Sequence, residues 1–266
     1  MVIMFKQKIK LGSMEISLLS GLEHDKKTAF TFLDALERLS NTKRQVVRNV
    51  LSRLAKKGRI KRIKKGTYLL VPFRFRDYGQ HEFSLLPVLA KEYYVSFWSA
   101  LHFWSLTEQL PRTIYAATKK TVKDRDFDEV KYRFVKLSGR YFFGFEEAEI
   151  QGIKINIAYK EKTILDCLLH TEHCGGIGEV AKALRDYWKD LDWNRIKQYL
   201  KKMKNSAVER RLLYILSYLS LRKSLSLFEK KKFIGFRKLD PSAEGRGKYD
   251  KKFGLTINVD LGEEML

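Results

Sequence analysis

Between Arg38 and Lys65 the chain carries twelve Lys or Arg and not one Asp or Glu. Within that run Val46, Val47, Val50, Leu51 and Leu54 recur at the spacing of one face of an α-helix. A solvated charged face normally mixes both signs. A helix that keeps an apolar stripe and excludes acids from its polar side suits a polyanionic surface, and the densest such polymer is nucleic acid. The bland alternative is a solubilising basic face on a thermophilic protein, a source that abundant Lys and Glu with scarce Asn and Gln also suggest.

The neighbouring segments place this helix in a small domain. Met14 to Leu22 can form one helix, and Thr31 to Leu39 a second, with Phe32, Leu33, Leu36 and Leu39 on one face. Ser40-Asn41-Thr42 is a polar break whose side chains can cap a helix start. The basic helix then spans Lys43 to Lys57 and stops at Gly58, a residue suited to a left-handed C-terminal position. Arg59 to Lys64, the turn Lys65-Gly66, and Thr67 to Val71 read as a hairpin ended by Pro72. Helix, helix, turn, helix, hairpin is the order of a winged helix-turn-helix.

In such a domain the second helix of the motif enters the major groove by its N-terminal part. Gln45, Arg48, Asn49 and Ser52 face away from the apolar stripe, with Lys43 and Arg44 at the helix start. Gln45 and Asn49 suit adenine and Arg48 suits guanine, because each can make paired hydrogen bonds there. Thr42 and the first-turn N–H groups can hold a phosphate. Lys61, Arg62, Lys64 and Lys65 on the hairpin would track the backbone.

The rest of the chain fills a second, mixed domain. Of the formal net charge of +22, more than half falls in residues 1–72. A linker region, 73–92, opens with the loop-like stretch Phe73 to Gln80. It leads into an α+β domain over 93–266, so the fold class is α/β mixed (α+β) behind an N-terminal winged helix-turn-helix. The patterns predict a buried helix over Tyr94–Leu106 and strands at Thr113–Thr118, Tyr132–Leu137, Tyr141–Phe145 and Ile153–Ala158. Helices are expected at Lys160–Leu169, Ile177–Tyr187, Trp193–Met203 and Ala207–Leu221, then strands from Phe233 to Val259 broken by a loop at Asp240–Asp250. No apolar run reaches the roughly 18–20 residues a bilayer requires, and the opening lacks a secretory pattern. Two cysteines are too few for a disulfide framework. A cytoplasmic location without membrane contact is expected.

Tyr94-Val95-Ser96, Ser99-Ala100-Leu101, Thr107-Glu108-Gln109 and Pro111-Arg112-Thr113 are followed by Phe142-Phe143-Gly144. The run Ile157-Ala158-Tyr159-Lys160-Glu161-Lys162-Thr163-Ile164-Leu165-Asp166 and then Gly175-Gly176-Ile177 complete the series. In this order, behind a winged helix, they resemble the AbiEi family of abortive-infection antitoxins, transcriptional regulators of viral defence systems. The resemblance covers most of residues 25–220 and leaves the last 45 unplaced. It implies a repressor that binds repeats in its own promoter through double-stranded DNA contacts. It also implies a C-terminal antitoxin-like domain that opposes an AbiEii-like nucleotidyltransferase toxin as a type IV system, with no direct complex expected. The alternatives are a regulator whose second domain binds a ligand or dimerises without a toxin, and a nuclease or nucleotidyltransferase guided by the winged helix.

Catalytic and metal constellations are weak. Glu161 and Asp166, five apart on one helix, point to different faces and do not converge for acid–base or metal chemistry. Glu161 is expected to favour its helix start electrostatically, and Asp166 to make a buried hydrogen bond or ion pair. Asp124, Asp126, Asp128 and Glu129 read as a solvated turn. Cys167, His170, His173 and Cys174 are ligand types crowded within eight residues, where structural zinc sites space ligand pairs more widely. Gly175-Gly176-Ile177-Gly178 reads as a tight interhelix turn, and Tyr93, Tyr94, Phe97, Phe103 and Trp104 as core. No enzyme activity, no cofactor and no metal are therefore expected.

Overall fold

A 13-residue amphipathic helix, α3 (Arg44–Lys56), organises the first part of the chain. In the computed structural model, Val47, Val50, Leu51 and Leu54 of α3 are buried, while Val46 is only half-buried. The helix ends as its sequence requires. Gly58 adopts φ +66°, its N–H donates to Ala55 O at 3.0 Å, and the Arg59 N–H donates to Leu54 O at 2.9 Å. This paired closure satisfies the last free carbonyls. The structure describes residues 10–25, 27, 29–71, 82–127, 130–150, 153–228 and 231–265. The expected strand stop at Pro72 and the loop-like stretch 73–80 lie outside them. The chain forms two compact units, residues 1–89 and 90–266.

In the first unit α1 (Ser13–His24) and α2 (Phe32–Arg38) pack on α3 through Leu18, Leu19, Leu22, Ala35 and Leu39. Thr31 and Asp34 close the start of α2 reciprocally: the Asp34 N–H donates to Thr31 Oγ1 at 3.2 Å, and the Thr31 N–H donates to Asp34 Oδ2 at 2.7 Å. The expected apolar face of α2 is shifted, because Leu33 is exposed and Ala35 takes the buried position. The hairpin β2 (Ile60–Lys64) and β3 (Thr67–Leu70) is joined on its β3 edge by an unforeseen strand, β1 (Ala29–Thr31). Both pairings are antiparallel, and the short helix α4 (Leu86–Leu89) closes the unit. Three residues between α1 and α2 are too short a run to show alternation.

The second unit is built on a six-stranded mixed sheet. Its strands are β4 (Tyr93–Val95), β5 (Thr113–Thr118), β6 (Arg125–Phe127), β7 (Val130–Lys136), β8 (Phe145–Ile150) and β9 (Ile153–Ala158), ordered β6-β7-β5-β4-β9-β8. Against it pack α5 (Phe97–Phe103) and α6 (Lys160–Leu169), and on α6 pack α7 (Ile177–Tyr187), α8 (Trp193–Met203) and α9 (Ser206–Tyr218). The architecture is mixed α and β.

Three expectations are corrected. Tyr94–Leu106 is not one helix: β4 occupies the middle of the sheet, wholly buried, so its residues show no alternation to distinguish them from a buried helix. Of Tyr141–Phe145 only Phe145 is strand, as the first residue of β8: Tyr141 ends a turn, Phe142 and Phe143 are irregular, and Gly144, at φ +74°, leads into β8. The helix expected to run to Leu221 breaks at Ser220, φ +57°, before the short α10 (Arg222–Ser226).

The final segment forms a small sheet of β10 (Arg237–Lys238), β11 (Lys248–Asp250) and β12 (Leu255–Ile257), then α11 (Leu261–Glu264). It belongs to the second unit's core, which contains Leu239, Phe253, Leu255 and Leu261. Arg210 donates to the carbonyls of Ile234 at 2.9 Å, Gly235 at 2.7 Å and Gly254 at 3.0 Å. Arg211 bridges Leu168 O at 2.6 Å and Lys238 O at 3.2 Å. No helix among the described residues is long and apolar enough to cross a membrane.

Candidate nucleic-acid interface

The outer face of α3 is a continuous polar strip. Lys43, Arg44, Gln45, Arg48, Asn49 and Ser52 are all exposed. Gln45 links two of them: its Nε2 donates to Asn49 Oδ1 at 3.2 Å, and its Oε1 accepts from Arg48 Nη1 at 3.4 Å. The Arg48 guanidinium also lies 5.8 Å from the Phe32 ring centroid, leaning toward the start of α2. Thus the three groups able to pair with base edges share one hydrogen-bonded cluster.

The start of α3 differs from expectation. Lys43 is the N-cap residue, and no side chain caps this terminus. Thr42 is half-buried and its N–H donates to Leu39 O at 3.1 Å, while Asn41 takes φ +68° to turn the chain. Asn tolerates that left-handed region better than most residues. Ser40, Asn41 and Thr42 therefore shape the turn without capping α3. The Val46 N–H donates to Lys43 O at 2.9 Å, and with no side chain capping the terminus the helix start keeps the positive dipole end that suits an anion.

Not every cation of the acid-free run faces outward. Arg53 Nε and Lys57 Nζ donate to the buried Glu15 of α1, at 3.1 Å and 2.6 Å. Burial would raise the Glu15 pKa, but hydrogen bonds from Lys57, the Gly12 N–H and Arg53 outweigh it and hold the carboxyl below its ordinary value. Asp34 behaves alike: burial opposes, and bonds from Lys27 and Thr31 prevail, bringing it to about 2. Arg38 pairs with Asp25. On the hairpin, Lys61, Arg62 and Lys65 are exposed. Lys64 is half-buried, and its Nζ donates to the Val88 carbonyl at 2.7 Å. Sequence reasoning did not foresee Phe32 beside Arg48 or Glu15 behind α3. The Thr31-x-x-Asp34 pattern was the available signal for where α2 begins.

The second unit holds a fully buried polar cluster. Asp166 pairs with Lys162, accepts from Ser96 Oγ at 2.8 Å, and is 3.0 Å from Tyr94 Oη; Lys162 Nζ also donates to Tyr94 Oη at 3.0 Å. The expected buried ion pair of Asp166 is thus present. Glu161 turns elsewhere, accepting from the Asp192 N–H at 2.9 Å and Arg195 Nη1 at 3.3 Å. It ties α6 to the start of α8 while standing, as expected, in the first turn of its own helix. Asp124 and Asp126 pair with Arg133, and Asp126 lies within β6, not in a solvated turn. Asp128 and Glu129 lie outside the described residues.

The glycine run before α7 already receives an anion from within the chain. Asp240, buried, accepts the Ile177 N–H at 2.7 Å, Thr171 Oγ1 at 2.6 Å and the Ser242 N–H at 2.8 Å. Cys167 and Cys174 are buried free thiols, and burial pushes Cys167 well up. His170 and His173 instead stand beside Glu172, partly open to solvent. Burial lowers the His173 pKa, against the opposing charges of Glu172 and Asp124 and with that of His170. A cleft of about 330 Å³ at the start of α9 is lined in part by Lys197, Lys201, Lys204 and Lys231.

No family model matches the chain, and no curated protein matches it. Among solved structures it is similar to the crystal structure of the RV2827C protein from Mycobacterium tuberculosis, with a TM-score of 0.64 at 14% identity over 92% of each chain. At that identity the likeness is one of fold.

Proposed function

We propose that the first unit is a winged helix-turn-helix that docks α3 in the major groove of duplex DNA, with the β2–β3 hairpin as its wing. The protein then acts as a non-enzymatic transcriptional repressor of its own operon. From its family resemblance, it is also a type IV antitoxin opposing an AbiEii-like nucleotidyltransferase. One observation carries the DNA-binding reading: Gln45, Arg48 and Asn49 sit together, exposed and hydrogen-bonded, on the helix face opposite a buried stripe. The acid-free run that carries them, with Arg62 and Lys65 exposed on the hairpin, supplies the charge that phosphates would neutralise.

Fluorescence anisotropy of promoter duplexes at increasing salt tests this. The logarithm of affinity should fall linearly with the logarithm of salt concentration, by about 0.9 per phosphate neutralised. Binding that ignores salt, or no binding, overturns it. Growth on co-expression with a neighbouring nucleotidyltransferase separates an antitoxin from a regulator without a toxin partner. Duplex DNA given magnesium and nucleotides should stay intact and unmodified.

A further inference from the structure

His170 is the C-cap residue of α6, and Glu172 and His173 lie in the single 3₁₀ turn Thr171–His173 that follows it and leads toward α7. Their ligand-type atoms all fall within 4.8 Å of one another. Glu172 Oε1 is the hub, 3.0 Å from His170 Nδ1 and 3.8 Å from His173 Nε2. Ligands held at about 2.0–2.1 Å around a tetrahedral ion lie roughly 3.3–3.4 Å apart. The two separations to Glu172 bracket that figure and all three atoms lie within 4.8 Å, so side-chain rotations would close the set on one ion.

The surroundings hold this arrangement in place. The wholly buried Phe97 presents its ring to both imidazoles, with centroids at 6.1 Å from His170 and 5.5 Å from His173 and interplanar angles of 77° and 73°. Phe97 does so from φ +55°, a left-handed conformation that a bulky residue keeps only where its surroundings impose it. Tyr115 also packs on His173, with ring centroids 5.3 Å apart. The backbone of the turn is clamped as well. The His173 N–H donates to His170 O, the Cys174 N–H to Thr171 O, and the Thr171 hydroxyl to the buried Asp240. A ligand set needs this kind of support to be preorganised.

We propose that His170, Glu172 and His173 form a binding site for one divalent transition-metal ion of the zinc class. Two imidazoles and one carboxylate favour such an ion over magnesium or calcium, which take oxygen ligands. Three ligands from one turn bind one side of the ion. Each of the three side chains is partly exposed, at 32%, 44% and 28%, so the remaining position faces solvent and exchanges. The sequence pointed away from metal because it paired these histidines with Cys167 and Cys174, which are buried in the core. The missing partner was Glu172. This site is independent of the DNA-binding reading.

The test uses the full-length, untagged protein with zinc or cobalt(II) chloride as the only probe. Calorimetry should give one ion per chain, and cobalt should produce visible ligand-field absorption. His170→Ala, Glu172→Gln and His173→Ala should each weaken binding by at least about tenfold, while His102→Ala on α5 leaves it unchanged. Zinc should raise the melting temperature of the wild type but not that of Glu172→Gln, a variant that keeps its shape and loses only its charge. No stoichiometric binding by the wild type, or equal binding by Glu172→Gln and the wild type, overturns the proposal.

Discussion

Lys57, the C-terminal cap residue of α3, donates its ammonium to the buried carboxylate of Glu15 on α1 at 2.6 Å. Arg53 joins the same carboxylate from one turn earlier. Two cations of the acid-free run are thus turned to the back of the candidate recognition helix, where they fix its attachment to α1. The exposed strip from Arg44 to Ser52 is left to face a partner.

Substituting Glu15→Gln removes the anion from beneath two cations that can still reach water. A loss of about 1–3 kcal/mol is expected, below the roughly 3–5 kcal/mol of a wholly buried pair broken on one side. Urea denaturation followed by circular dichroism measures it. An unchanged midpoint would mean that the pair contributes nothing.

Acid should destabilise the first unit through Glu15 and Asp34. Both carboxyls have lowered folded-state values, so their stabilisation is present above the unfolded values of 4.5 and 3.8 and disappears as pH falls through the folded ones. For Asp34 the loss extends down to about 2. Melting temperature should therefore drop from about pH 5 downward, and less steeply in Glu15→Gln.

Arg48→Ala should cost about 1–3 kcal/mol of affinity at a single operator position if its guanidinium reads guanine. Arg62→Ala should instead weaken all duplexes alike and reduce the salt slope by about 1. Lys64→Ala should lower stability along with affinity, because its ammonium also holds the Val88 carbonyl. Titrations of each variant against scrambled and promoter duplexes distinguish the three.

Asp166→Asn strands Lys162 in the core without a counter-charge and should cost about 3–5 kcal/mol. The double change Lys162→Met with Asp166→Leu should recover much of that, since apolar replacements of a buried pair are often neutral. A double-mutant cycle over Lys162→Met and Asp166→Leu in guanidinium reads the coupling. Strict additivity would contradict the contact.

Asp240→Ala frees the start of α7 and the Thr171 hydroxyl together. A loss of at least about 1–2 kcal/mol is expected from the cap alone. Hydrogen exchange should accelerate in both α7 and the segment from Arg237 to Ile257, which the Ile177–Asp240 contact links across 63 residues of chain. Acceleration confined to α7 would show that the final segment docks without Asp240.

Elements whose signal is local were legible in the chain. Helices α3, α7 and α8 carry apolar residues at period 3.6, and Gly58 and Asp192 punctuate them. Strand β4 was not legible, because burial on both faces removes the alternation by which a strand is recognised. Strand β8 was missed because its glutamates give it a polar reading. At the candidate interface, the wheel placed Gln45, Arg48 and Asn49 on one outward face, yet it could not reveal that Lys64 bends inward. That depends on a carbonyl 24 residues away.

The sequence by itself determined where the charge lies, which helix carries it and which face of that helix is apolar. These follow from residue order within a few turns of chain. Only tertiary structure decided which cations meet Glu15, that Asp240 of the final segment caps α7, and that Glu172 stands between two histidines. Each of those pairings is set by side-chain direction or by chain segments brought together from a distance, and the free energy of such contacts exists only once the core has formed.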